Sequence, residues 1–281
     1  MMEGKYAANS PDIHQLLESK KKISIAHKQT QRQQRIFFIS ILILFVISLS
    51  FIKVDFQAVS KGMERIPAIL SEMTQLSLSN LSDLMAAMLT TIVIAFLAVL
   101  FSLVVSFFLS FLAANNTTPN KALGMFIRYF VMIIRSIPTP IWVLIAVASI
   151  GFGPMAGIIG LLFPTTSFLV KAFTAQIEEE GEDVIEAIQS VGGTWWHVIF
   201  KGLVPTLFTG LIATLGVRFE LDVHESVILG MVGAGGIGYL LQSYIQYYHF
   251  ANLTLGILLV FITMFLLELF INQIRIRIGN R

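Results

Sequence analysis

Long apolar runs alternate with short polar stretches along this chain. A helix that crosses a bilayer needs about 20 mainly apolar residues, and six runs approach that length. They are Ile36–Ile52, Met85–Ala114, Gly124–Ile150, Met155–Phe173, a run that opens near Leu203 and stays apolar to Val217, and Leu253–Ile271. The third carries Arg135 and the pair Pro138/Pro140. The fifth is interrupted beyond Val217 by Arg218, Glu220, Asp222, His224 and Glu225. The turn Gly151–Pro154 is short enough to pair the third and fourth runs as an antiparallel hairpin. The pattern predicts an all-α, polytopic membrane protein with six transmembrane helices.

The polar stretches divide the chain into a basic tail (1–35), a first span (36–52), a mixed and partly amphipathic outer loop (53–84), a core with five spans (85–272) that contains a polar segment (174–202), and a short tail (273–281). Lys and Arg concentrate on one side of this arrangement. Lys20, Lys21, Lys22, Lys28, Arg32 and Arg35 precede the first span; Lys121, Arg128, Lys171, Lys201, Arg275, Arg277 and Arg281 fall on the same side. The other side holds only Lys53, Lys61 and Arg65. Cytoplasmic segments carry the excess of Lys and Arg, so both termini and the segment 174–202 are expected in the cytoplasm. The basic tail leads into the first span without a small-residue cleavage site, which reads as an uncleaved span rather than a secretory signal. Its cations suit anionic lipid.

Composition narrows the function. Hydrophobic residues make up 56% of the chain and charged residues 13%, and the mean hydropathy is +0.79; a soluble domain is about a quarter charged. There is no Cys, which excludes disulfides and thiolate metal sites. A net charge of +2 gives no reason to expect nucleic acid. His197, His224 and His249 each stand without a second His at ligand spacing, and no nucleophile–base arrangement is present. Neither catalysis, nor metal, nor a cofactor is expected in this chain. The glycines Gly230, Gly233, Gly235, Gly236 and Gly238 lack the Lys-Ser/Thr of a phosphate-cradling loop. They fit close helix packing or a gate near the outer face.

Ionisable groups at membrane depth usually face a bundle interior or a wet cavity. Arg135, Arg218, Glu220, Asp222 and His224 are therefore candidates for a translocation pathway, with Gly233, Gly235 and Gly236 as a candidate gate. An internal ion-pair network, Arg218 with Glu220 or Asp222, accounts for the same residues and is compatible with that role. Arg135 and Arg218 together would suit a passing oxyanion, because guanidinium groups match its oxygens.

The segment 174–202 has its own logic. Ile177, Val184, Ile188 and Val191 recur at roughly helical spacing, opposite Glu178, Glu179, Glu180, Glu182, Asp183 and Glu186. Gly192–Gly193 ends that helix. Thr194 can cap a second short helix, Trp195–Lys201, and Pro205 falls in the first turns of the next span. Trp195, Trp196 and Ile199 put large apolar surface beside the glycine break. Such a surface packs on its own bundle or anchors in the groove of a partner.

The positions of Glu186, Ala187, Gly192 and Pro205 resemble the signature loop of type I ABC importer permeases. Ile188 stands in place of the second alanine, and Gly202 where the pattern has an aliphatic residue. The resemblance implies a methionine-importer-like permease fold whose coupling segment (Glu186, Ala187, Gly192, Gly193, Trp195, Trp196, Pro205) docks on a cytoplasmic ATPase. It also implies two such ATPase subunits, which hold the ATP and Mg, an extracytoplasmic solute-binding protein, and a second copy of the permease in the inner membrane. "RFELDVHESVILGMVGAGGIGYLL" (Arg218–Leu241) and "RSIPTPIW" (Arg135–Trp142) resemble phosphonate-uptake permeases, although His224 stands where an arginine is usual. That likeness implies phosphonates as cargo, or phosphite, hypophosphite or phosphate esters. The VGAGGIG run also occurs in variant form in methionine permeases, so a methionine-type importer is the alternative. A membrane scaffold is the alternative outside transport.

Overall fold

A computed structural model describes residues 28–52 and 55–279. Lys20, Lys21, Lys22, Lys53 and Arg281, used above for orientation, lie outside the described residues. Every regular element among the described residues is helical. The described residues fall into two compact units, divided between Ile66 and Pro67.

In the first unit, helix α1 (Lys28–Ile52) is apolar all round beyond Arg35, and its large side chains from Ile36 to Ile52 are exposed. A helix of that kind is at home in lipid. The region read from sequence as an outer loop instead starts with helix α2 (Phe56–Met73), which crosses from one unit into the next. Asp55 caps it by accepting from the backbone N–H of Gln57 and Ala58 at 2.9 and 3.1 Å. Phe56, Val59, Met63, Ile66 and Leu70 form an exposed stripe along α2, an arrangement suited to a membrane surface.

The second unit is built on helix α3 (Leu81–Ala113). Ala95, Ala98, Ser102, Ser106 and Ser110 are buried at three- and four-residue spacing along it, so a neighbouring backbone can approach closely. The neighbour is helix α6 (Pro154–Glu180): Ser102 Oγ donates to the Leu162 carbonyl at 3.1 Å.

Three spans differ from the sequence expectation. Gly124–Ile150 is two helices, α4 (Lys121–Ser136) and α5 (Thr139–Ile150), bent by 85°. The cause is Pro138, which pushes the residue before it out of helical geometry; Ile137 has φ −92° and ψ 121°. Helix α6 continues past Phe173 to Glu180, carrying Glu178 on its extension. The fifth span does not break at its charges. One helical run extends from Trp195 to Ala234, comprising α8 (Trp195–His197), a wide π-helical turn (Val198–Leu203), α9 (Val204–Leu229) and a second π-helical turn (Gly230–Ala234) that kinks out of helical geometry at Gly233. Helices α10 (Gly236–Gln246) and α11 (Phe250–Gly279) complete the unit. With the bent pair counted as one crossing, six spans result.

Candidate functional site

Helix α7 (Glu182–Ser190) follows α6 after a single residue, Gly181. It buries Ile185 and half-buries Val184 and Ile188, while Glu186 and Ala187 face outward. It ends in a Schellman turn. Gly192, at φ +79°, donates to the Gln189 carbonyl, and Gly193 donates to the Ile188 carbonyl at 2.9 Å. A Cβ on Gly193 would stand 2.7 Å from that same carbonyl oxygen. Thr194 then caps the next helix: its hydroxyl oxygen lies 2.8 Å from His197 Nδ1, and its backbone N–H donates to that ring nitrogen at 3.2 Å. The result is a tight helix–glycine–helix knuckle.

The apolar residues of the knuckle divide by face. Trp195 is anchored, with Nε1 donating to the Thr117 carbonyl at 2.7 Å. Ile199, for which the sequence leaves packing on the bundle and contact with a partner both open, is only 2% exposed and belongs to the core with Phe173, Ile177 and Leu203. Val191, expected on the apolar face, is 83% exposed because the helix has already ended. Trp196 is 60% exposed and stacks on Phe200 with centroids 5.8 Å apart. Val191, Trp196 and Phe200 therefore form the outward apolar surface.

Two departures from the importer pattern fit each other. A Cβ on Gly202 would stand 2.7 Å from Val184 Cγ1 and would also collide with the tip of Ile188. A large residue at 188 and none at 202 let α7 seat on the helix below. Pro205, expected near a helix start, sits inside the continuous helix. A proline there clashes with the carbonyl four residues back, and the wide turn Val198–Leu203 gives it room.

A polar latch that sequence reasoning missed braces the knuckle end. Asn115 donates through its backbone N–H and its Nδ2 to Glu178 Oε1, both at 2.7 Å. Arg128 Nη1 donates to Asn115 Oδ1 at 2.7 Å and to the Ala113 carbonyl at 2.9 Å, and lies 3.6 Å from Glu178. Nothing local signals these partners, because they come from three separate segments.

In the bundle interior Arg218 is buried against Asp222, its ion-pair partner one turn along α9. Thr165 donates to both Asp222 oxygens at 3.0 and 2.8 Å. Arg218 Nη2 also lies 3.3 Å from Glu225 Oε2, and the guanidinium sits 5.2 Å from the centre of the Phe168 ring. Of the two partners foreseen for Arg218, Asp222 is the one that pairs; Glu220 is half-buried without an ion pair, and His224 is exposed. Thr165, Phe168 and Glu225 complete a set the sequence did not assemble. Two carboxylates commit Arg218 locally. Arg135 lies elsewhere, in a groove between α4 and α6 with Arg128 and Lys171, so the cation pair Arg135/Arg218 is not brought into one site.

At the opposite end, the glycine run meets the hairpin loop Gly151–Pro154. Gly153 N–H donates to the Gly233 carbonyl at 3.0 Å. A Cβ on Gly233 would stand 2.5 Å from the Phe152 ring, and one on Gly236 would collide with Thr91. Thr91 Oγ1 accepts from Ile237 N–H at 2.9 Å. Gly233, Gly235 and Gly236 all have positive φ. Close backbone packing is the structural role of these glycines. Among the described residues no three His, Asp or Glu side chains converge to hold a metal.

Comparison with known proteins agrees with this architecture. The chain is 33% identical over 196 residues to the phosphate-import permease protein PhnE of Mycolicibacterium smegmatis, covering 70% of this chain but 37% of that relative's length. It is 33% identical over 168 residues to the phosphite transport system permease protein PtxC of Stutzerimonas stutzeri, covering 60% of this chain and 59% of the relative. A solved inward-facing structure of the MetNI methionine ABC transporter superposes with a TM-score of 0.65 at 23% identity, over 72% of this chain and 99% of that one; it shares the fold. Residues 106–278 match the family described as binding-protein-dependent transport system inner membrane component. That match spans the latch, the knuckle, the buried Arg218–Asp222 pair and the glycine turn, and this chain belongs to that family.

Proposed function

We propose that this chain is the permease subunit of an ATP-driven importer for phosphonates or related phosphorus oxyanions such as phosphite. The observation that carries the reading is the knuckle. It is tied to the bundle by Trp195 and the Schellman turn, yet it leaves Val191, Trp196 and Phe200 bare. A firm base with an exposed aromatic tip suits insertion into a groove of a partner. In this reading the partner is an ATPase subunit that binds ATP and Mg, one for each of two permease copies. Both termini and the knuckle lie in the cytoplasm, as the Lys/Arg asymmetry favours. A solute-binding protein delivers cargo from the other side. The named relatives, a phosphate and a phosphite permease, support the substrate class.

The mechanism follows from the helical run Trp195–Ala234. The helical stretch from Trp195 to the kink at Gly233 reaches about 55 Å, nearly twice the hydrocarbon thickness. Closure of the ATPase pair moves the knuckle, and the helix carries that displacement to the glycine turn that holds the hairpin loop. Alternation between inward and outward openings results.

The test is co-expression with an ATPase subunit and a solute-binding protein, followed by purification and reconstitution. Phosphite or a phosphonate should stimulate ATP hydrolysis and enter the vesicles, and Trp196→Ala should uncouple hydrolysis from cargo. Hydrolysis that ignores both the cargo and the Trp196 substitution would refute the reading.

A further inference from the structure

The groove between α4 and α6 encloses about 590 Å³ and contains charges that the buried network does not use. Arg128, Val131, Met132 and Arg135 project from α4 at helical i, i+3, i+4, i+7 spacing; Lys171, Thr174, Ala175 and Glu178 do the same from α6. At one end of the groove Arg128 and Glu178 neutralise each other 3.6 Å apart. Arg135 lies seven residues along α4 from Arg128, and Lys171 seven residues before Glu178 on the antiparallel α6. Seven helical residues advance about 10 Å, so the second pair stands level, two turns along the groove. Arg135 and Lys171 have no ion-pair or side-chain hydrogen-bond partner among the described residues. The rest of that level is apolar apart from Ser136 and the Thr174 hydroxyl.

Two like charges facing the same apolar-walled groove repel and lack counter-charge. Arg135 is in the last turn of α4, where the helix dipole favours a cation, but that accounts for one charge and not for its neighbour. A tetrahedral oxyanion fits both: the guanidinium offers a planar fork of donors and the ammonium a compact point charge.

We infer that Arg135 and Lys171 form a binding site for a phosphoryl oxyanion, two helical turns along the groove from the Arg128–Glu178 pair. The inference rests on the proposed function where the oxyanion is cargo on its way out of the pathway. A phospholipid headgroup carries the same chemistry and is the other source.

The test reads binding directly. Full-length permease assembled with its ATPase subunits is placed in phosphatidylcholine nanodiscs, and its unfolding temperature is followed during titration with inorganic phosphate and with phosphite. A saturable rise is expected for the wild type, since a ligand that binds only the folded state stabilises it. R135Q/K171Q should lose the rise and R135K/K171R should keep it; the single variant K171Q, at an exposed position, serves if the double variant does not fold. In a second arm phosphatidylglycerol replaces part of the phosphatidylcholine. Stabilisation of the wild type but not of R135Q/K171Q by that lipid, with the phosphate response blocked, assigns the site to a headgroup. Equal responses of wild type and neutral variants in both arms, or no response in either, overturn the inference. Transport is scored separately: a wild-type transporter that moves no phosphorus oxyanion defeats the substrate assignment and leaves the binding curve as it is.

Discussion

At the knuckle end of the helix Trp195–Ala234, Gly192 has φ +79° and no atom within 4 Å of where a Cβ would stand. At the hairpin end, Gly233 has φ +113° and faces the Phe152 ring at 2.5 Å, and Gly236 is closed off by Thr91. Both ends use glycine, but for different reasons. The hairpin end needs the missing side chain and the unusual backbone angle together, so it is packed and fixed. Gly192 needs only the angle, and the space beside it is open. One helix thus has one end committed to its own fold and one end left for another molecule.

Four experiments sharpen that contrast, beginning with the segment that joins the ends. Asp222→Ala leaves Arg218 in the interior with only the part-exposed Glu225 as counter-charge, and breaking a buried pair costs about 3–5 kcal/mol. The variant should lose most of its detergent-stable yield, and replacing both partners by apolar residues should recover part of it. At the hairpin end Gly236→Val combines overpacking, about 1–3 kcal/mol, with the left-handed strain of about 1–2 kcal/mol. Gly192→Val carries the strain alone, so it should melt higher than Gly236→Val, and Gly192→Asn higher still. A Gly192→Val protein that melts as low as Gly236→Val would erase the distinction between the two ends.

The third experiment is a cycle at the seat of α7. Gly202→Leu should destabilise by about 1–3 kcal/mol through overpacking, and Ile188→Ala by a smaller amount because Ile188 is only half-buried. Together they should be less harmful than their sum by about 0.5–3 kcal/mol, since contacting residues couple. Strict additivity in the melting free energies would mean that the two departures are independent. The smallest effect on the fold belongs to Trp196→Ala, expected within about 0.5 kcal/mol of wild type because the side chain is mostly exposed. Trp195→Ala, which removes the bond to the Thr117 carbonyl, should cost visibly more in the same melt.

Sequence periodicity found the spans because lipid imposes length and apolarity on each helix separately. It found the Thr194 cap and the Gly192 turn because both are local chemistry. It placed Gly124–Ile150 as one span, although Pro138 was there to mark the bend. Hydropathy counts residues and does not see direction. The charges after Val217 suggested an interruption, yet α9 runs through them, because Thr165, fifty-seven residues away from Asp222, helps satisfy them. Periodicity assigns Val191 to the apolar face because it carries one residue past the end of the helix at Ser190. The pairing of Arg135 with Lys171 in one groove, and not with Arg218, depends on which faces of α4 and α6 meet. That is tertiary information.

The wide turn Val198–Leu203 has an arithmetic consequence. A π-helical turn closes its bonds one residue further along than an α-helical one, so its six residues turn the chain about as far as five residues of ordinary helix at about 100° each. Rewinding the same six residues as ordinary helix would swivel everything upstream by about that angle, taking Trp195 out of the socket beneath Thr117 and turning Trp196 in towards it. The heading of the aromatic tip is thus set by the winding of this turn together with the residue count up to Pro205.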